Sequence, residues 1–222
     1  MSDEIEQAAL EKMEDFFTAR LPIYEGHMLH EVQGCKEGYA ELARLLPAGI
    51  NTLLDLGCGT GLELDEIFAR FPALRVTGID VTPAMLELLR EKHPDKNLAL
   101  LQGDYRYCDF GVEKYDAAVS FQTMHHFTAA EKLPLYQKIR AALAPGGCYI
   151  EGDYMAETPQ QEKEMLADAG RLLAAVGADA AALYHIDIPL APEKQMALLR
   201  QAGFADVQLV WRQGWTAIIV AR

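Results

Sequence analysis

The chain has 222 residues, 50% of them hydrophobic and 24% charged, with a formal net charge of −13. That balance suits one globular domain with room for a small appendage, and its acidity speaks against a nucleic-acid partner, which is gripped by clustered Lys and Arg. No apolar run approaches the ~20 residues of a membrane-spanning helix, and the start Met1-Ser-Asp-Glu-Ile-Glu6 has no basic segment leading into an apolar one, so a soluble cytoplasmic protein is expected, away from the membrane.

From residue 4 to 46 the apolar positions Ile5, Ala9, Phe16, Phe17, Leu29, Val32, Tyr39, Leu42, Leu45 and Leu46 recur at helical spacing, interrupted at Leu21-Pro22. The expectation is an N-terminal segment, 1–46, of two helices broken at that proline. Residues 53–61, Leu-Leu-Asp-Leu-Gly-Cys-Gly-Thr-Gly, then read as an apolar strand running into three glycines at alternate positions. Glycines there let a ligand lie against bare backbone while the next helix points its free amides inward. Nineteen residues past Gly61, a second strand from Arg75 delivers Asp80, a carboxylate suited to a ribose diol.

Pro83 opens a helix, Leu98–Gln102 forms a third strand ahead of Asp104, and Tyr115–Phe121 forms a fourth. A helix over 133–143 and the turn Pro145-Gly-Gly lead into a fifth strand from Cys148. Strands alternating with helices predict a doubly wound α/β fold, mostly parallel, whose ligand edge gathers Asp55, Asp80, Asp104 and Phe121. Residues 159–176 are again helical and begin a cap expected over 155–192, ending in an alanine-rich stretch and Tyr184-His-Ile-Asp-Ile-Pro-Leu. A helix over 193–202 follows, and strands Val207–Trp211 and Trp215–Val220 flank a three-residue loop containing Gly214, an antiparallel hairpin that brings the sheet to seven strands.

These motifs resemble the class I S-adenosylmethionine-dependent methyltransferases, the small Rossmann-like enzymes of that group. The resemblance covers roughly 40–150 and, through the hairpin, 193–220. It is carried by Leu54-Asp-Leu-Gly-Cys-Gly-Thr-Gly61, by Gly78-Ile-Asp-Val-Thr-Pro83, by Gln102-Gly-Asp-Tyr105, and by the later segments Tyr115–Phe127 and Leu143–Gly147. It implies methyl transfer to a small-molecule acceptor, with S-adenosylhomocysteine as the by-product and a monomer or homodimer as the assembly.

On that resemblance Asp55 orients the glycine loop and meets the cofactor's amino group, Asp80 takes the ribose hydroxyls and Asp104 the adenine amine. Gly57, Gly59, Gly61, Val81, Met85, Tyr105 and Phe121 complete the cofactor set, and Tyr24 folds over it from the N-terminal segment. His125 and His126 stand where the methyl group should lie and are the candidate catalytic residues. Tyr154, Tyr184, His185 and Asp187, in or beside the cap, are candidate acceptor contacts.

No spacing signals a metal. Cys35, Cys58, Cys108 and Cys148 form no Cys-x-x-Cys pair, and nothing completes a site around His27 and His30. Two rivals remain: a protein that binds the cofactor as a regulator or partner subunit, and a nicotinamide-dependent oxidoreductase. The latter is disfavoured because its phosphate turn reads Gly-x-Gly-x-x-Gly and Asp55 would repel a pyrophosphate.

Overall fold

The computed structural model describes residues 10–175 and 182–222. Ile5, Ala9, Val176 and most of the alanine-rich stretch after it lie outside them. Seven strands form one sheet in the order β3-β2-β1-β4-β5-β7-β6. β1 (Thr52–Leu56), β2 (Arg75–Asp80), β3 (Asn97–Gln102), β4 (Tyr115–Phe121) and β5 (Leu143–Tyr154) run parallel. β6 (Val207–Gln213) and β7 (Thr216–Ala221) form the antiparallel hairpin, with β7 paired to β5. The expected mixed, doubly wound sheet is what the chain adopts.

Strand order reverses between β1 and β4, and ligands bind at the carboxyl ends of such a junction. The central strands are apolar on both faces because helices cover both. α2 (Cys35–Leu45), α3 (Leu62–Arg70) and α4 (Pro83–Lys92) pack with Leu53, Val76 and Val119 on one side. α5 (Ala129–Ala142) and α7 (Pro192–Gln201) pack with Leu54, Leu56 and Ala118 on the other. Full burial of a leucine such as Leu53 or Leu54 contributes about 1.5–3 kcal/mol.

Three expectations are corrected. α1 (Met13–His30) runs unbroken through Pro22, and the chain turns at Glu31–Gly34, where Gly34 takes a left-handed φ of 83°. Proline removes one hydrogen bond, but neighbouring turns and the packing of the helix over the sheet's carboxyl edge hold the rest. α5 starts at Ala129, ahead of the expected Leu133, because Thr128 and Glu131 form a reciprocal capping box. The hairpin loop is two residues, Gly214 and Trp215, with Gln213 paired to Thr216; Gly214 carries the positive φ of 59° that so short a turn needs. α6 (Pro159–Ala175) forms where the sequence predicts it.

Phe121, at the end of β4, is wedged between Gly152 of β5 and Gly38 of α2, its ring against both Cα atoms. A methyl at either glycine would overlap the ring. Gly152→Ala is therefore expected to destabilise the fold by about 1–3 kcal/mol, and thermal unfolding should show it as a drop of about 2–4 °C per kcal/mol.

Candidate functional site

The sheet's carboxyl edge opens into two adjoining cavities. The first is a narrow groove of about 40 Å³. It is lined by Gly57, Gly59, Asp80, Val81, Met85, Asp104, Tyr105 and Phe121, eight of the residues expected to hold the cofactor. Tyr24 and Phe17 of α1 roof it.

Asp80 organises this groove. Its Oδ2 accepts the Gly59 amide at 3.0 Å and its Oδ1 the Thr82 amide at 2.8 Å, so one carboxylate fixes the glycine loop to the start of α4. A carboxylate offers about four acceptor positions, and those left over can take the two hydroxyls of a ribose. Burial raises the Asp80 pKa, opposed by the amides of Thr82 and Gly59. Tyr24 stands over the loop, its hydroxyl 3.6 Å from where a Cβ on Gly59 would lie, and Gly59 holds a left-handed φ of 46°.

Several expected residues sit differently. Asp55 is fully buried beneath the loop and does not line the groove; neither of its oxygens has a hydrogen-bond partner, and Glu63 Oε1, also buried, has none. Burial above all, opposed by Glu63 alongside and reinforced by the charge of Asp80, pushes the Asp55 carboxyl up to about 8; burial and Asp55 raise Glu63 well above its usual range. Gly61 lies at the start of α3, where a Cβ would strike Leu89, so it serves helix packing. Asp104 reaches the groove, but Arg106 already grips it: Nε lies 3.1 and 2.9 Å from its two oxygens and Nη2 2.7 Å from Oδ2. Tyr105 offers the groove its ring, its hydroxyl 2.7 Å from Thr123 Oγ1.

The second cavity, about 400 Å³, is walled mainly by α1. Phe16, Phe17, Arg20, Ile23, Tyr24, His27 and Met28 recur at helical spacing and face it, joined by Gln122, His125, His126, Tyr154, His185 and Asp187. Phe17, Tyr24, Gln122 and His126 line both spaces, so the two meet there. Tyr154 stacks on Trp215 at 4.9 Å, and His185 on Phe16 at 3.5 Å. Tyr184 lines neither cavity; it forms an isolated antiparallel bridge with Lys12.

Both histidines follow β4 in a single 3-10 turn, Met124–His126. His125 Nδ1 is 2.7 Å from Asp153 Oδ1, on β5, and His126 Nδ1 is 3.0 Å from the Ile186 carbonyl. A carbonyl only accepts, so His126 Nδ1 carries its proton; a carboxylate likewise accepts from His125 Nδ1. Both rings are thereby left with a lone pair on Nε2 when neutral. Burial disfavours charge on His125, but the Asp153 carboxylate outweighs it and raises the pKa. Burial, with the charges of His125 and His185, holds His126 well below 6.5.

Asp153, Gln122, Thr123 and Arg20 were not among the expected site residues. Asp153 is 28 positions from His125 in sequence, and no local signal pairs them.

The buried Asp55 carboxyl makes stability fall with pH. It titrates near 4 when unfolded but near 8 when folded, so the native state holds the extra proton; the contribution is intact below pH 4 and lost as pH rises through 8. The thermal midpoint of the ligand-free protein should decline between about pH 5 and 8 on this account, and Asp55→Asn should flatten that decline.

A methyltransferase-domain family model matches residues 53–147, the glycine loop through the turn before Cys148. Carboxy-S-adenosyl-L-methionine synthase of Campylobacter lari is 24% identical over 223 residues, spanning 96% of this chain and 95% of its own. Trans-aconitate 2-methyltransferase of Methylobacterium radiotolerans is 31% identical over 179 residues, 79% of this chain and 66% of its own. Human N-acetylserotonin methyltransferase, solved with S-adenosylmethionine, shares the fold at a TM-score of 0.63 and 17% identity, covering 93% of this chain, which spans only 54% of that structure. The groove fits that cofactor: a carboxylate with acceptor positions to spare, a bare glycine backbone and apolar walls at Met85 and Tyr105. With matching motifs, sheet order and groove, the chain belongs to the class I S-adenosylmethionine-dependent methyltransferases.

Proposed function

We propose that this enzyme methylates a heteroatom of a small, largely apolar acceptor held in the second cavity, with His125 Nε2 accepting the acceptor's proton. The observation that carries this reading is the shared wall: Phe17, Tyr24, Gln122 and His126 line both cavities, so an acceptor in one abuts a cofactor in the other.

The acceptor's character follows from the lining. Phe16, Phe17, Ile23, Met28, Val32 and Tyr154 offer aromatic and aliphatic surface. The cation there, Arg20, is paired with Glu11 at 3.0 Å and stacked over Phe16 at 3.7 Å, so the cavity presents little unpaired positive charge to an anion. A flat, neutral molecule bearing a hydroxyl suits this space.

When bound, the cofactor supplies a methyl group already activated on a sulfonium. Little acid chemistry is then required, and most of the acceleration comes from holding the attacking atom in line and away from water. Asp80 anchors the ribose, and Tyr24 and Phe17 close the groove. Asp153 fixes the His125 ring so that its Nε2 lone pair is free for the acceptor's hydroxyl proton. His126 forms the common wall and contacts the acceptor. No helix among the described residues is long and apolar enough to cross a membrane.

A panel of small hydroxylated aromatics incubated with labelled cofactor tests the proposal, with both products read by mass. A methylated acceptor with S-adenosylhomocysteine is expected. Because the Campylobacter relative is named for synthesis of carboxy-S-adenosyl-L-methionine, a heavier cofactor with no methylated acceptor would defeat this reading.

Two variants sharpen it. Asp80→Ala should weaken S-adenosylhomocysteine binding roughly 10–100-fold by calorimetry, from the loss of charge-assisted hydrogen bonds of about 1.5–3 kcal/mol. His125→Ala should lower kcat by about 10²–10⁴ while leaving that binding within a few-fold. Protonated His125 cannot accept a proton, so the rate should rise with pH through an inflection above the 6.5 of a free imidazole. Asp153→Asn should move the inflection downward, which a merely structural role would not do.

A further inference from the structure

Asp187 lies opposite the two histidines, on the segment that follows α6. One ring nitrogen of each histidine and one Asp187 oxygen all lie within 4.8 Å of one another. His125 Nε2 and His126 Nδ1 are each 3.6 Å from Asp187 Oδ1. That separation is too long for good hydrogen bonds. It is close to what an ion would impose, since tetrahedral bonds of about 2.1 Å set neighbouring ligand atoms about 3.4 Å apart.

The surroundings of His125 are those of a metal ligand. A metal-bound histidine characteristically gives its other ring N–H to a carboxylate or a backbone carbonyl, which fixes the ring and makes the free nitrogen more basic. His125 does this with Asp153, which is 1% exposed and whose Oδ2 has no partner of its own. His126 Nδ1 donates to the Ile186 carbonyl at 3.0 Å, so ligation through it requires that hydrogen bond to give way and the proton to move to Nε2, leaving the ring neutral. Asp187 is half exposed, so an ion can enter through the 400 Å³ cavity, which also leaves a coordination position open.

Two imidazoles and one carboxylate suit zinc and its first-row neighbours. Magnesium and calcium, which prefer oxygen throughout, are poorly served.

We propose that His125, His126 and Asp187 form a site for a divalent first-row transition ion of the zinc type, and that its occupancy switches methyl transfer off by capturing the lone pair of His125. The second half rests on the reading of His125 as proton acceptor; the first half stands on the side-chain geometry. The two are tested separately.

Cobalt(II) titrated into chelator-stripped full-length protein should give a visible d–d band that saturates at one ion per chain and is bleached by zinc. Asp187→Asn and His126→Ala should each weaken cobalt at least tenfold, and Asp153→Asn by about 10–100-fold. S-adenosylhomocysteine binding measured alongside certifies that each variant is folded. Cobalt that fails to saturate, or binds the His126→Ala/Asp187→Asn double variant as tightly as the parent, overturns the site.

In the activity arm, saturating zinc should suppress methyl transfer at least tenfold and EDTA should restore it. Full activity with the site occupied overturns the switch. Absence of methyl transfer from the metal-free enzyme would instead count against the proposed function, and the cobalt titration would still decide the site.

Discussion

The carboxyl edge is assembled around one side chain, Asp80. It bridges the amide of Gly59 on the loop after β1 and the amide of Thr82 at the start of α4. At the other end of α4, Lys92 Nζ donates to the Thr60 carbonyl at 3.1 Å, so the loop is tied to both ends of that helix. The loop amides of Gly57 and Cys58 also reach the Ile79 carbonyl, at 2.8 and 3.2 Å, so the turn is stitched to β2 along its length. The groove floor is therefore set before any ligand arrives, which lowers the ordering cost of binding.

Burial then assigns different states to like carboxyls. Asp55, buried and accepting no backbone amide, favours its proton; Asp80 has two amides that favour its charge and partly offset the same burial. On β5, Asp153 is held beside an imidazole, while two residues earlier Glu151 is satisfied by the hydroxyl of Tyr149 at 3.0 Å and the amide of Gln195. Gln195 in turn accepts from buried Lys132 at 3.1 Å. Burial pushes Glu151 up to about 7, with Asp153 adding to it and Lys132 opposing it. The network beneath Asp153 thus fixes the strand that aims His125, because a half-satisfied arrangement this deep would cost more than an apolar core.

What the sequence made legible was local. The alternate glycines, the carboxylate ending β2 and the alternation of strands and helices lie in short windows whose meaning depends on dihedrals and period, and Gly57, Gly59, Asp80 and Asp104 all come to line one groove. What stayed hidden was tertiary. Arg106 capturing Asp104, Asp153 aligning His125 and Asp187 facing both histidines join residues through the fold. Pro22 misled because a proline's missing amide is a local penalty that packing over the sheet edge can outweigh. The apolar stripe of α1 was read correctly as a stripe, yet periodicity cannot tell a helix face that meets a core from one that meets a cavity.

That stripe links donor and acceptor. Phe17 and Tyr24 lie on one helix and line both spaces, so any displacement of α1 changes both at once. The helix is tied down at its ends: the Met13 amide donates to the Leu183 carbonyl at 2.9 Å, and Glu25 pairs with Lys92 of α4 at 2.8 Å. Between those ties its inward face touches mainly the cavity walls, with Arg20 folded back on Phe16. That span, with Phe16 stacked on His185 and Tyr24 over Gly59, is the roof that both spaces share. Lifting it exposes the glycine loop and the acceptor wall together, while the sheet edge that carries Asp80 and His125 stays fixed beneath.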